Sequence, residues 1–386
     1  MKRISVLAAG VSAAVLVGAA PVKDPPPIAN YWMDVATQNG MGAGMDAAQM
    51  MSMMSGGASP VMHSLDLRLA SKDKAAPAKA DHMIPPGLQM GPSLPLIAPV
   101  REEVPREPGM PMQYQQPKGR MLIYWGCGEH VSAGQPTIID FAKMTPGKAP
   151  PGMAAMASIA HAVSGPNSAP GFGRWPNEQD RRPVPATGSL LGGHKIEANY
   201  APPIGFSLGA GHDFMPGLGL REAGALPSGA SRLAWQPAPT ATGYALAMFG
   251  SNQSGDVIMW SSAKSASMVA LDYLAPAEVR RLIAAGSVLP PSANECVLPA
   301  EVATASPAGM VTMIGYGPEA NFAEKPKAPK WTTKVRFKTT ASLIRGMSQY
   351  GAAAGGAADQ AAEQQPQAPK KKKRFGLGDL MGAVPH

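Results

Sequence analysis

Past its first 20 or so residues, the sequence has no apolar run approaching the ~18 residues of a membrane span. Nothing later in the chain therefore reads as a transmembrane helix. It has no G-x-S-x-G nucleophile elbow, no H-E-x-x-H and no G-x-x-x-x-G-K-[ST] phosphate loop. The glycine-rich pieces GMGAGM and LGAGHD do not follow a strand with G-x-G-x-x-G spacing, and read as turns. With no local signature of catalysis, the expectation is a protein that is not an enzyme; a hydrolase assembled from distant residues is the alternative. Aromatic residues make up only 6% of the chain, and only two cysteines occur among its 386 residues. Cys127 and His130 form C-x-x-H, but the second ligand pair that a zinc site requires is missing.

The ends carry more information. Lys2 and Arg3 precede an apolar run from Ile4 to Val17, with Val17 and Ala19 as small residues at a cleavage site. This is the three-part pattern of a secretory signal peptide over residues 1–19, and cleavage after Ala20 is disfavoured by Pro21. The expected location is the periplasm or cell envelope. The formal charge of +8 is concentrated at the ends. Lys2 and Arg3 leave with the signal, and Lys370, Lys371, Lys372, Lys373 and Arg374 form a single run in the tail. The body between is close to neutral, so nucleic acid is not an expected partner. The basic run, followed by Phe375, Leu377, Leu380 and Met381, suggests a tether to an anionic envelope surface or a solvated tail.

Forty-three glycines and 41 prolines lie well above the usual combined share of about 12%, which leaves little sequence for long helices. The length allows two or three domains. Residues 20–58 read as a Met/Gly/Pro-rich arm in which Tyr31, Trp32 and Met33 form an apolar anchor. Residues 59–213 read as a first β-domain. It holds a proline-rich extended segment (85–117) and a surface loop (145–185) with a short helix at Met153 to Val163. In HSLDLRLAS, Leu65, Leu67 and Leu69 alternate with Asp66 and Arg68, the period-2 pattern of a strand with one wet face. Residues 214–342 read as a second β-domain with one short helix at Pro276 to Ala285. Its segments ECVLPAEV and WTTKVRFKTTA read as strands. In the last, Val335 and Phe337 alternate with Lys334, Arg336 and Lys338, as on a lysine-protected edge strand. Residues 343–386 are low-complexity and are expected to be disordered. The fold class is thus all-β, with two sandwich-like domains between an arm and a tail.

The stretch LAWQPAPTATGYALAMFG, Leu233 to Gly250, has L-x-W-x-P followed by A-T-G-Y-x-L. It resembles the second and third strands of fibronectin type III-like, immunoglobulin-like domains. The resemblance covers residues 214–342 and implies two facing antiparallel sheets. Leu233 and Trp235 would point inward from one strand, and Tyr244 from the next.

Two further readings concern sulfur. Cys127 and Cys296 can pair in only one way within a monomer and would tie the two expected domains together; two buried thiols are the alternative. Met41, Met45, Met50, Met51, Met53 and Met54 cluster in the arm, with Met62 and His63 following. Thioethers are soft ligands suited to Cu(I), which makes a periplasmic copper-binding protein an alternative function. The same side chains also suit an adaptable apolar surface, so the leading expectation carries no cofactor. That expectation is a non-catalytic envelope protein that binds or scaffolds an unknown partner. His194 and the His212–Asp213 pair flank two strand-like segments; a loop or surface position is the leading reading, and a meeting of the two in space is the alternative.

Overall fold

The computed structural model describes residues 25–40, 60–99, 119–143, 163–268 and 271–346. Residues 1–19, the methionines Met41 to Met54, the segment from Met153 up to residue 162, and Lys370 to Arg374 lie outside the described residues.

Strands dominate, as composition and alternation lead one to expect. The largest unit is a mixed nine-stranded sheet in the order β6 (Thr137–Asp140), β5 (Arg120–Trp125), β13 (Val257–Ser261), β12 (Gly243–Ser251), β15 (Gly309–Ala323), β16 (Trp331–Arg345), β1 (Ala29–Asn39), β2 (Val61–Ser71) and β7 (Gly171–Trp175). The pairs β1–β16 and β5–β13 are parallel and the remainder antiparallel. Two smaller sheets lie on one face of it. One runs β4 (Ser93–Pro95), β3 (Ala80–Met83), β8 (Gly192–Ala198), β9 (Ile204–Leu208). The other runs β10 (Arg221–Ala225), β11 (Ser231–Ala234), β14 (Glu295–Leu298). The four-stranded sheet meets the long one through Tyr31, His82 and Phe206, and the three-stranded sheet meets it where Trp235 packs on Tyr244.

Two sandwich-like regions therefore exist, but both are built on the same long sheet. The expected boundary at residue 213 is corrected accordingly. One continuous apolar cluster holds Tyr31, Leu67, Ile196 and Phe206 together with Leu233, Trp235, Tyr244, Val311 and Phe337. The reading of residues 20–58 as an arm is corrected for the same reason, because Ala29–Asn39 is an interior strand paired on both sides. Tyr31, Met33 and Val35 point into the core while Trp32 and Gln38 are only partly covered on the opposite face.

Strand β16 is likewise not an edge. It lies between β15 and β1, so its lysines belong to a sheet face and not to a guarded margin. ECVLPAEV is a strand only to Leu298. Pro299 caps a short helix α2 (Ala300–Ala305), whose Ala303 N–H bonds the Pro299 carbonyl. Helix α1 (Pro276–Ala284) stands where its sequence places it, with Pro at its first turn and Gly286 at φ +72° just beyond its end. Its buried Val279 and Leu282 pack on Ala245, Ile314 and Tyr316, covering β12 and β15 on the face opposite the small sheets.

Segment 85–117 is described only up to residue 99 and contains a 3-10 turn and β4. The loop reading of 145–185 is corrected at β7, which pairs with β2. Cys127 and Cys296 are bonded, with Cα atoms 5.3 Å apart, and tie the loop after β5 to β14 across 169 residues of chain.

Candidate functional site: a paired-charge cleft on the outer sheet face

Four strands lie side by side, and their outward-pointing polar residues share the outer face. Register places Glu319, Arg336, Asp34 and Asp66 directly opposite one another across β15, β16, β1 and β2. The next row carries Arg68, Trp32 and Lys334. Of these, Asp34, Asp66, Arg68 and Arg336, together with Gln38, Ser64, Asp272, Tyr273, Ser164 and Lys338, bound a cleft of about 440 Å3. That volume falls within the range of small-molecule sites, roughly 300–1,000 Å3.

Arg336 forms the base. Its guanidinium donates to both oxygens of Asp34, at 2.7 and 2.5 Å, and to the Val163 carbonyl. It lies 4.7 Å from the Trp32 ring centroid and 4.6 Å from that of Tyr273, stacked between the two. Guanidinium–ring contacts of this kind contribute about 0.5–2 kcal/mol each, more as water is excluded. Gly165 closes one side. A Cβ there would stand 3.0 Å from Arg68 Nη1 and 3.1 Å from Trp32, so the loop lies close against the indole and a side chain would require its neighbours to give by a few tenths of an ångström.

Two further ion pairs flank the base. Asp66 accepts from Arg68 Nε at 2.9 Å and from its Nη2. Lys338 Nζ reaches Asp272 at 3.0 Å and sits 4.1 Å from the Tyr273 ring centroid. Burial raises the Asp272 carboxyl, but the charge and hydrogen bond of Lys338, with the Tyr273 N–H, outweigh it and hold it below the ordinary carboxylate range. The bond to Asp66 raises Arg68. Burial, then the nearby Asp34 carboxylate, pushes Tyr273 well above the usual phenol value. The Asp272 carboxyl thus stays ionised as an acceptor, and the Tyr273 phenol stays protonated.

A second polar constellation is enclosed between the long and four-stranded sheets. Tyr31 Oη lies 2.8 Å from His82 Nδ1, His82 Nε2 lies 3.0 Å from His194 Nδ1, and His194 Nε2 lies 2.7 Å from the Leu190 carbonyl. A carbonyl only accepts, so His194 carries its proton on Nε2. Its Nδ1 then accepts from His82 Nε2–H, and His82 Nδ1 accepts from the Tyr31 hydroxyl. Desolvation lowers both histidines, His82 strongly, and keeps them neutral in this one-way chain.

The residues singled out from sequence fall elsewhere. Leu233, Trp235 and Tyr244 are buried core residues, with the two rings 5.6 Å apart. The Tyr244 hydroxyl accepts from the Ala238 N–H at 2.8 Å. Cys127 is consumed by the disulfide, and His130 bonds Glu301 at 3.0 Å. His194 meets His82 in the core, which corrects its reading as a surface group, whereas His212 lies near Phe337. Among the described residues no three His, Cys, Asp or Glu side chains converge on a metal position, and no helix is long and apolar enough to cross a membrane.

Sequence reasoning missed the cleft itself. Its signal was present in the polar positions of HSLDLRLAS and KVRFK and in the matching alternation of NYWMDVATQ, which proline- and glycine-rich flanks obscured. No protein-family model matches the chain, and no curated protein matches it.

Proposed function

We propose that this chain is an exported, non-catalytic binding protein of the cell envelope that receives a small polar ligand in the cleft over β1, β2 and β16. The observation that carries this reading is the cleft itself. Its three carboxylates and three cations are mutually paired, Trp32 and Tyr273 stack on Arg336, and its walls combine strands β1, β2 and β16 with the loops that carry Gly165 and Tyr273. Such a site is pre-organised to hold a ligand by hydrogen bonds, and carboxylates held in ion pairs are poor proton donors.

Export is supported by the signal-like first 19 residues and by the Cys127–Cys296 bond, which suits an oxidising compartment. The finer reading of residues 214–342 as fibronectin type III-like rests on Leu233, Trp235 and Tyr244 filling the space between facing sheets. Strands from outside that segment complete its larger sheet.

Fractionation of cells expressing the full chain, followed by sequencing of the recovered N-terminus, tests export. A protein starting at Ala20 in the periplasmic fraction supports it, and an intact Met1 in the cytoplasm refutes it. Cleft occupancy is tested by the ligand titrations described next.

A further inference from the structure

We infer that the ligand of this cleft is an uncharged polyhydroxylated molecule, a small saccharide, an inference that rests on the reading of the cleft as a binding site. The argument begins with which polar groups are left over. Among the described residues, every charged side chain lining the cleft already has an opposite charge against it: Asp34 with Arg336, Asp66 with Arg68, Asp272 with Lys338. An ionic ligand would have to break one of these pairs or leave its own charge uncompensated, and both are costly where water is partly excluded.

The side chains that remain unpartnered among the described residues are neutral. The Gln38 amide, the Ser64 and Ser164 hydroxyls and the Tyr273 hydroxyl line the cleft, and none of these groups makes a hydrogen bond. The amide supplies both donor and acceptor, and each hydroxyl supplies either. In the two open ion pairs the carboxylate is the more exposed partner, 42% for Asp66 against 26% for Arg68, and 57% for Asp272 against 17% for Lys338. Acceptors with unused lone pairs therefore face the opening, and the cations lie beneath them. A sugar hydroxyl donates to such a carboxylate while accepting from a neighbouring N–H or O–H, leaving each ion pair intact. A ligand with many hydroxyls matches this alternation, and a single strong charge does not.

The test is calorimetric titration of the purified full chain with two groups of probes at millimolar concentration. One group is neutral: maltose, sucrose and N,N′-diacetylchitobiose. The other is charged: glycine betaine, glutamate and citrate. The expected result is saturable one-to-one binding of at least one disaccharide, insensitive to added sodium chloride. Gln38→Ala and Ser64→Ala should each weaken it about tenfold, the scale of one lost hydrogen bond, with unchanged melting temperature. If only charged probes bind, and Ser64→Trp abolishes that binding, the cleft remains a binding site and the ligand class is overturned. If neither group binds, the site reading falls with it. Where a disaccharide binds, co-sedimentation with purified cell-wall sacculi, with and without that disaccharide as competitor, separates a sugar carried on a polymer from a diffusible one.

Discussion

Asp34 and Arg336 stand 302 residues apart in the chain and directly opposite each other on neighbouring parallel strands, joined by two hydrogen bonds. Both side chains are more than nine-tenths covered. Removing one partner leaves a buried charge without compensation, whereas removing both leaves only a packing change. Arg336→Met is expected to destabilise the fold by about 3–5 kcal/mol, and the Asp34→Leu, Arg336→Met double variant by much less. Urea denaturation of the wild type, both single variants and the double variant measures this. Equal losses in the single and double variants would show that the ring stack and the Val163 contact, and not the ion pair, hold the region together.

That pair also marks how far the sequence could be read. Alternation in residues 63–71 and 331–341 announced strands with one apolar and one polar face, and those faces are as expected. Strand order is a different kind of information. Nothing local to β16 says that the strand beside it is β1, so a row of basic residues reads as an edge when it is the middle of a sheet. The same non-locality hid the core. Trp235 and Tyr244 are close in sequence and their burial was legible, whereas Tyr31 and His82 become partners only once two sheets pack. Helix α1 was legible because its first-turn proline, terminal glycine and apolar spacing all lie within a dozen residues.

The Tyr31–His82–His194 chain predicts an acid response. A histidine held below its ordinary value stays neutral in the folded protein and gains its proton only on unfolding. Below about pH 6.5 the unfolded chain therefore binds more protons, and stability falls as pH falls. His63, also lowered by burial, acts in the same direction. Asp180, through its hydrogen bonds with Arg182, and Asp256, through those with Arg120 and Asn252, are held down to about 2. Their contribution is present above the ordinary carboxylate value near 4 and is lost only as pH falls from there towards 2. The melting temperature should thus decline between pH 7 and 5 in a phase separate from acid unfolding. His82→Gln should flatten that first phase, and an unchanged slope in this variant would show that the buried pair is not its source.

The Cys127–Cys296 bond closes a long loop and joins the loop after β5 to the three-stranded sheet. Replacing both cysteines by alanine is expected to cost about 2–5 kcal/mol, much of it through the freer unfolded chain. Reductant should lower the melting temperature of the wild type and leave that of the double variant unchanged. If reductant lowers both alike, the effect does not come from this bond.

Close packing at a glycine gives the sharpest comparison between two strands. At Gly317 in β15, a Cβ would lie 2.5 Å from the Phe337 carbonyl oxygen and 2.6 Å from Met215 Sδ. The methionine end can shift, but the carbonyl belongs to the neighbouring strand and cannot move without the ladder. At Gly205 in β9, a Cβ meets nothing within 4 Å, and the position is exposed. Gly317→Ala should therefore destabilise by about 1–3 kcal/mol through overpacking. Gly205→Ala should be neutral, or stabilise by up to about 1 kcal/mol because the unfolded chain loses freedom. Chemical denaturation of the two variants side by side decides the matter. The same substitution should give opposite or clearly unequal effects, and equal losses would mean that β15 and β16 separate enough to admit a methyl group.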